Sequence, residues 1–228
     1  ISAVAWDALT NFSASSQDVC AYMLGHHLRV IIDTICAPNS IFADAASMLL
    51  CNLTKHPNAS AHVKTLLPIL VRMLRIDPTH NALCSFDYCM SAIADISISP
   101  DGRKYLLDGI ETGSDLLTAV LIPELQGEYH KSDNNRACVR RGGAAAAIKN
   151  CLFDVERHGA ILDREERCEA DGSLFVITAL ASRLFAEESN LTTEELDALP
   201  IELQLLKRFS EPDSGIRAII LESFVLLG

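Results

Sequence analysis

Residues 46–54 read Ala46-Ser47-Met48-Leu49-Leu50-Cys51-Asn52-Leu53-Thr54. Ala46, Leu49, Leu50 and Leu53 stand at i, i+3, i+4 and i+7, the spacing that lines one face of an α-helix with apolar side chains. Asn52 interrupts the run at i+6, and Thr54 follows two residues later. The arrangement occurs three more times. Ala5, Ala8, Leu9 and Phe12 carry it with Asn11 and Ser13, and Cys89, Ala92, Ile93 and Ile96 carry it with Asp95 and Ser97. Ala144, Ala147, Ile148 and Cys151 carry it with Asn150, where Leu152 replaces the hydroxyl residue. One such match is chance; four with the same polar marker are a repeat.

The markers are 41, 43 and 55 residues apart. The first two intervals fall in the ~40–47-residue period of armadillo and HEAT repeats, in which each unit is two or three helices. The excess in the third is assigned to an insertion at about 108–135, which contains Gly109, Gly113, Pro123, Gly127 and the run Ser132-Asp133-Asn134-Asn135. No alternating pattern of useful length competes, so the chain reads as all-α. The expected architecture is an armadillo/HEAT-like right-handed superhelical solenoid of about five repeats, one domain over 1–228, with a second insertion at about 163–173. Ser99-Pro100-Asp101-Gly102 predicts a turn before a helix near Arg103, and Arg140-Arg141-Gly142-Gly143 predicts the start of the alanine-rich fourth marker helix. Thr192 with Glu195 forms a capping box for a short helix ending at Pro200. Glu211-Pro212-Asp213 opens a last helix with Ile216, Ile219, Ile220, Phe224 and Leu227 on one face. The chain lacks an initiator Met and closes just after that helix, so it is expected to be a piece of a longer protein.

Thirty acidic residues against nineteen basic ones give 228 residues a formal charge of -11. General nucleic-acid binding needs the opposite balance, because phosphate contacts require Lys and Arg. No apolar run approaches the roughly 18–20 residues that cross a bilayer. The eight cysteines lie mostly among small or apolar residues without a secretion signal, as core cysteines of a reducing compartment do. The sequence therefore predicts a monomer in the cytoplasm, with nuclear presence also open, no membrane and no direct nucleic acid.

Catalytic and metal signatures are sparse. There is no GxSxG elbow, no HExxH and no glycine-rich phosphate fingerprint, so no catalytic residue and no cofactor is assigned. His80, Cys84 and Cys89 lack the CxxC spacing of a zinc site, and no metal is assigned. Gly142-Gly143 at a helix start could hold a phosphate with Arg140 and Arg141; the plainer alternative is close helix packing, with the arginines solvated or paired to acids. Asn11, Asn52, Asp95 and Asn150 lie at the edge of the buried stripe. There they either bond the neighbouring repeat or contact a partner, and the two uses are compatible. An import-receptor ladder would carry Trp one turn before each marker, where this chain has Asp7, Met48, Ser91 and Ala146. Residues 154–213 concentrate fifteen acids against six bases, either for solubility or to meet a basic client. Glu187, Glu188, Glu194 and Glu195 are its candidate contacts.

Three segments resemble the armadillo-like brain protein sixteen family. They are 86–107 (FDYCMSAIADISISPDGRKYLL), 140–162 (RRGGAAAAIKNCLFDVERHGAIL) and the C-terminal signature with Leu199-Pro200, Leu203-Gln204, Glu211-Pro212-Asp213, Ile216-Arg217 and Glu222. They come in the family's order and cover about half the chain. The chain departs from the family between Leu162 and Ser189, where an acidic insertion is followed by Phe175-Val176-Ile177 instead of a proline-rich leucine stretch. The resemblance implies a non-enzymatic chaperone or adaptor that binds translation elongation factor 2 and assists its folding with the cytosolic chaperonin. The alternative is a general armadillo protein-interaction scaffold with another client.

Overall fold

A computed structural model describes residues 2–76, 79–127, 134–167, 175–184, 192–198, 204 and 211–228. Among these residues the protein is all-helical, with no strand. Its internal contacts gather into two compact units, one of residues 1–105 with 131–143 and one of residues 106–130 with 144–228.

The first unit begins with α1 (Ala3–Ser15), α2 (Gln17–His26) and α3 (Leu28–Cys36). Ser2 and Ser16 start α1 and α2 by accepting the Ala5 and Val19 amides, which are donors without an intrahelical partner. α4 (Ala43–Thr54), a 3₁₀ turn at Pro57–His62, α5 (Val63–Leu74) and α6 (Asp87–Ser97) follow. α4 packs against both α1 and α6, so the first three marker helices form a stack, with α3 on α4 and α5 on α6. Leu49, Leu50 and Leu53 of α4, Leu66, Leu67 and Leu70 of α5 and Met90 and Ile93 of α6 are fully buried. Each contributes on the order of 1.5–3 kcal/mol by leaving water. The apolar sets expected of the second and third copies are buried throughout. The first copy differs: α1 buries Trp6 and Ser13, while Phe12 is exposed and Ala5, Ala8 and Leu9 are half-buried.

α7 (Pro100–Leu107) starts three residues before the sequence suggests. Ser99 is its cap, accepting from Gly102 N at 3.1 Å, and Pro100 sits where a missing N–H costs nothing. α9 (Asn134–Cys151) follows a π-helical turn at Leu117–Leu121 and α8 (Ile122–Gln126). The expected insertion at 108–135 thus contains a helical stretch with buried Leu117, Val120, Leu121, Ile122 and Leu125. α9 begins well before the double glycine, so Gly142 and Gly143 lie inside a helix and not at its start.

In the second unit α10 (His158–Arg167) takes up the first part of the expected 163–173 insertion, and residues 168–173 lie outside the described residues. α11 (Val176–Ser182) packs on α10 and α8. α12 (Thr193–Asp197) carries the expected capping box: Thr192 N donates to Glu195 at 2.7 Å, and Glu195 N donates to the Thr192 hydroxyl at 3.3 Å. α13 (Ser214–Leu227) is capped by Asp213, which accepts from Ile216 N at 3.0 Å, and buries Ile216, Ile220 and Ser223.

Candidate functional site

The polar markers are where a binding surface was expected; in the first unit Asn11 is exposed, while the side chains of Asn52 and Asp95 turn toward the stack. Asn52 on α4 donates from Nδ2 to the Thr10 carbonyl at 3.1 Å and to the Ser13 hydroxyl at 3.2 Å, both on α1. One repeat later, Asp95 on α6 accepts from the Thr54 hydroxyl at 3.2 Å and faces the Cys51 thiol at 3.9 Å, both on α4. Each marker therefore reaches back to the hydroxyl residue two places after the preceding marker. That explains why Ser13 and Thr54 accompany Asn11 and Asn52 in the sequence. Partial burial raises the Asp95 carboxyl above its ordinary value; the Thr54 bond, the Lys55 charge and the Cys51 bond oppose that rise. Burial, and then the Asp95 charge, push the Cys51 thiol up to about 11.

A second row runs one repeat-length parallel to the first. Asp44 in the first turn of α4 accepts from Ser85 N at 3.3 Å, from Phe86 N at 3.2 Å and from the Cys84 thiol at 2.8 Å. Phe86 holds a left-handed backbone, φ 57°, which costs a non-glycine residue about 1–3 kcal/mol. The Asp44 carboxylate offsets this by fixing the two amides that lead into α6. Asp87 takes the equivalent place in α6. It accepts from the Ser85 hydroxyl at 2.6 Å and from Arg140 Nε at 2.9 Å, and Arg140 Nη2 reaches the Ser85 carbonyl at 2.6 Å.

Arg140 and Arg141 are buried, and Arg140 is paired to an acid as the plainer reading held. A Cβ on Gly143 would lie 2.9–3.0 Å from the Met90 backbone, so the glycine allows close helix contact. With the double glycine in mid-helix, the helix-start geometry for a phosphate is lost.

The remaining candidates are dispersed. Asn150 is half-buried near the end of α9 in the second unit. Glu194 and Glu195 are exposed on α12, while Glu187 and Glu188 lie outside the described residues. The Thr192 backbone N–H, and then its hydroxyl, donate to the Glu195 carboxylate and lower its pKa below the ordinary range. His80 bonds the Cys36 carbonyl at 3.0 Å, and Cys84 is committed to Asp44, so the two do not converge. Burial pushes the Cys89 thiol to about 12 and raises Cys84, leaving both protonated at neutral pH. Among the described residues, no three His, Cys, Asp or Glu side chains gather as a metal site, and no helix is long and apolar enough to cross a membrane.

Residues 34–218 match the family described as "Domain of unknown function (DUF383)". The chain belongs to this family. It is 28% identical to the mouse protein named "Protein HGH1 homolog" over 88% of its own length and 48% of the relative's. Against the Schizosaccharomyces pombe protein of the same name, identity is 28% over 100% of the chain and 64% of the relative. Against the human one it is 28%, over 83% and 46%. The chain thus spans about half to two thirds of the length of these relatives.

The DUF383 match includes Asn52, Asp95, Arg140 and Asn150 and leaves out α1. Within it, the signature Glu211-Pro212-Asp213…Arg217 has a local explanation. Glu211 pairs with buried Arg183 at 2.7 Å, its amide bonds the Arg183 carbonyl at 2.9 Å, and Arg217 Nη1 holds the Glu211 and Pro212 carbonyls. Sequence reasoning missed Arg183, Asp44 and Asp87. Asp44 and Asp87 each precede their marker by eight residues, a spacing visible once the repeat is aligned.

Proposed function

We propose that this chain is an armadillo-like adaptor, a helical-repeat protein with no catalytic role that binds translation elongation factor 2 and works with the cytosolic chaperonin in folding it. The back-bonded marker ladder carries the reading. Copies joined by one recurrent hydrogen-bond rule support a stacked-repeat solenoid, a fold that offers long surfaces to other proteins. The three segments that resemble the brain protein sixteen family supply the client. The buried, protonated thiols agree with a non-catalytic role. On this reading the protein is a cytoplasmic monomer, and the exposed acids around α12 meet a basic surface of the client.

The test is complex formation between purified chain and purified elongation factor 2, followed by size-exclusion chromatography, with an unrelated GTPase as control. A stoichiometric complex with the elongation factor alone is the expected result. Equal or absent binding to both overturns the client assignment, and specific recovery of a different client in a cytosolic pull-down moves the protein to the general scaffold reading.

A further inference from the structure

α5 is the exception to the chain's acidic balance. Residues 45–76 hold Lys55, Lys64, Arg72 and Arg75 and no Asp or Glu, within a protein of formal charge -11. At ~100° per residue, Lys64, Pro68, Arg72 and Arg75 of α5 fall within an arc of about 80°. All four are exposed, while Leu66, Leu67, Leu70, Met73 and Leu74 are buried on the opposite side. A rise of ~1.5 Å per residue makes the ridge about 16 Å long from Lys64 to Arg75. Ile69 and Ile76 are half-buried along one flank of it.

Local electrostatics does not account for this row. Among the described residues, Lys64, Arg72 and Arg75 lie within ion-pair distance of no carboxylate; Asp77, the next acid in the chain, lies outside them. Arg72 donates from Nη2 to the Cys36 thiol, at the end of α3, at 3.3 Å. Arg72 and Arg75 stand at i and i+3, where like charges disfavour a helix. The dipole at the C-terminus of α5 offsets that repulsion, but Lys64 sits in the first turn, where the dipole favours an acid. One negatively charged counterpart would relieve both.

The ridge also stands clear of the ends of the stack. α5 packs on the flank of α6 and, through Arg72 and Cys36, meets α3 on the flank of α4. A repeat added before α1 would join the stack beyond α1 and leave the outward face of α5 open. Two features select the occupant. Guanidinium forks pair with carboxylates through two parallel hydrogen bonds, and the apolar flank suits a chain that mixes acidic with apolar side chains. A long polyanion such as nucleic acid would meet the acidic remainder of the protein, whereas a short acidic segment meets the ridge alone.

We propose that the outward face of α5 binds an acidic segment of a partner polypeptide, which sets carboxylates on Lys64, Arg72 and Arg75 and apolar side chains against Ile69 and Ile76. The proposal takes nothing from the elongation-factor reading, in which the acids around α12 meet a basic client.

The probe is a fluorescein-labelled synthetic peptide that alternates Glu-Glu with Leu, titrated with the 228-residue protein at low ionic strength and read by fluorescence anisotropy. Saturable binding is the expected result. Arg72→Glu and Arg75→Glu should each weaken it about tenfold or more. Lys104→Glu, an equal change of charge at an exposed site on α7, should alter it less than about twofold. All three positions lie outside the core, and circular dichroism checks that the fold is kept. Bound peptide should also slow alkylation of Cys36 by iodoacetamide, followed by mass spectrometry, because Arg72 touches that thiol. Absent binding, equal weakening by Lys104→Glu, equal binding of the same peptide with Gln for Glu, or an unprotected Cys36 overturns the proposal. Tighter binding of a single-stranded oligonucleotide of the same charge overturns the choice of a polypeptide. The titration is repeated on the longest natural polypeptide containing this chain; silence there means that a flanking segment of the same protein covers α5, which refutes docking in trans.

Discussion

Replacing Gly143 by alanine opposes two effects of similar size. In the interior of α9 alanine is the better helix former, by about 0.8–1 kcal/mol, because it loses less backbone freedom on folding. Against this, the new Cβ falls 2.9 Å from the Met90 carbonyl carbon and 3.0 Å from its oxygen, where ordinary contact is 3.4–4 Å. A backbone cannot rotate out of the way as a side-chain end can, so the helices must part locally by several tenths of an ångström. Overpacking of this kind costs ~1–3 kcal/mol. Parting also stretches the Arg140–Asp87 pair, whose residues lie three before Gly143 and three before Met90. The clash should therefore win, with a net loss of about 1–2 kcal/mol.

Gly25→Ala is the control, since a Cβ there meets nothing within 4 Å in α2. It should stabilise by ~0.4–1 kcal/mol through the unfolded chain. Urea denaturation at constant m-value measures both. If Gly143→Ala matched Gly25→Ala in raising the midpoint, the close approach of α9 to α6 would be refuted.

Leu50→Ala should cost ~2–5 kcal/mol, because its side chain is fully buried between helices of the stack, whereas Glu194→Ala on exposed α12 should stay within about 0.5 kcal/mol by the same denaturation measurement. Arg140→Ala strands the Asp87 carboxylate in a buried site and should cost ~3–5 kcal/mol, while Arg140→Met with Asp87→Asn should recover much of that loss in a double-mutant cycle. Asp95 has a raised folded-state pKa, so its contribution is fully present below pH 3.8 and is lost as pH rises through the folded value. Asp95→Asn, which installs the residue found at the other three markers, should remove that loss. Its advantage over the parent, read from stability at a series of pH values, should be largest near neutrality and close toward acid; parallel curves would refute it.

What could be read from the sequence depended on how local its cause was. The apolar-and-marker pattern within each copy, the buried sets of the second and third copies and the Thr192–Glu195 box each span only a few residues, and all were legible. The start of α9 was not. Asn134, Asn135 and the double glycine look like a loop, but Arg140 is held by Asp87, 53 residues earlier, and Gly143 by its fit to Met90. Such tertiary contacts override weak local propensity. The early start of α7 was missed for a smaller reason: Ser99-Pro100 reads as a turn, and the same pair serves equally well as a cap and first residue.

The markers show a subtler limit. A polar residue at the edge of an apolar stripe is equally suited to a neighbouring helix and to a foreign partner, because both need only a hydrogen-bonding group beside a dry surface. Asn52 and Asp95 spend that capacity on Thr10, Ser13 and Thr54. Their recurrence is therefore evidence of stacking and cannot also be counted as evidence of a client site. The copy that departs from the pattern is more informative. Only by comparing Phe12 with Leu53 and Ile96 does exposure stand out from ordinary surface hydrophobicity, since the same register position has been buried twice already. Copies of one pattern thus act as internal controls, and the exposure of Phe12 in the first is the difference they reveal.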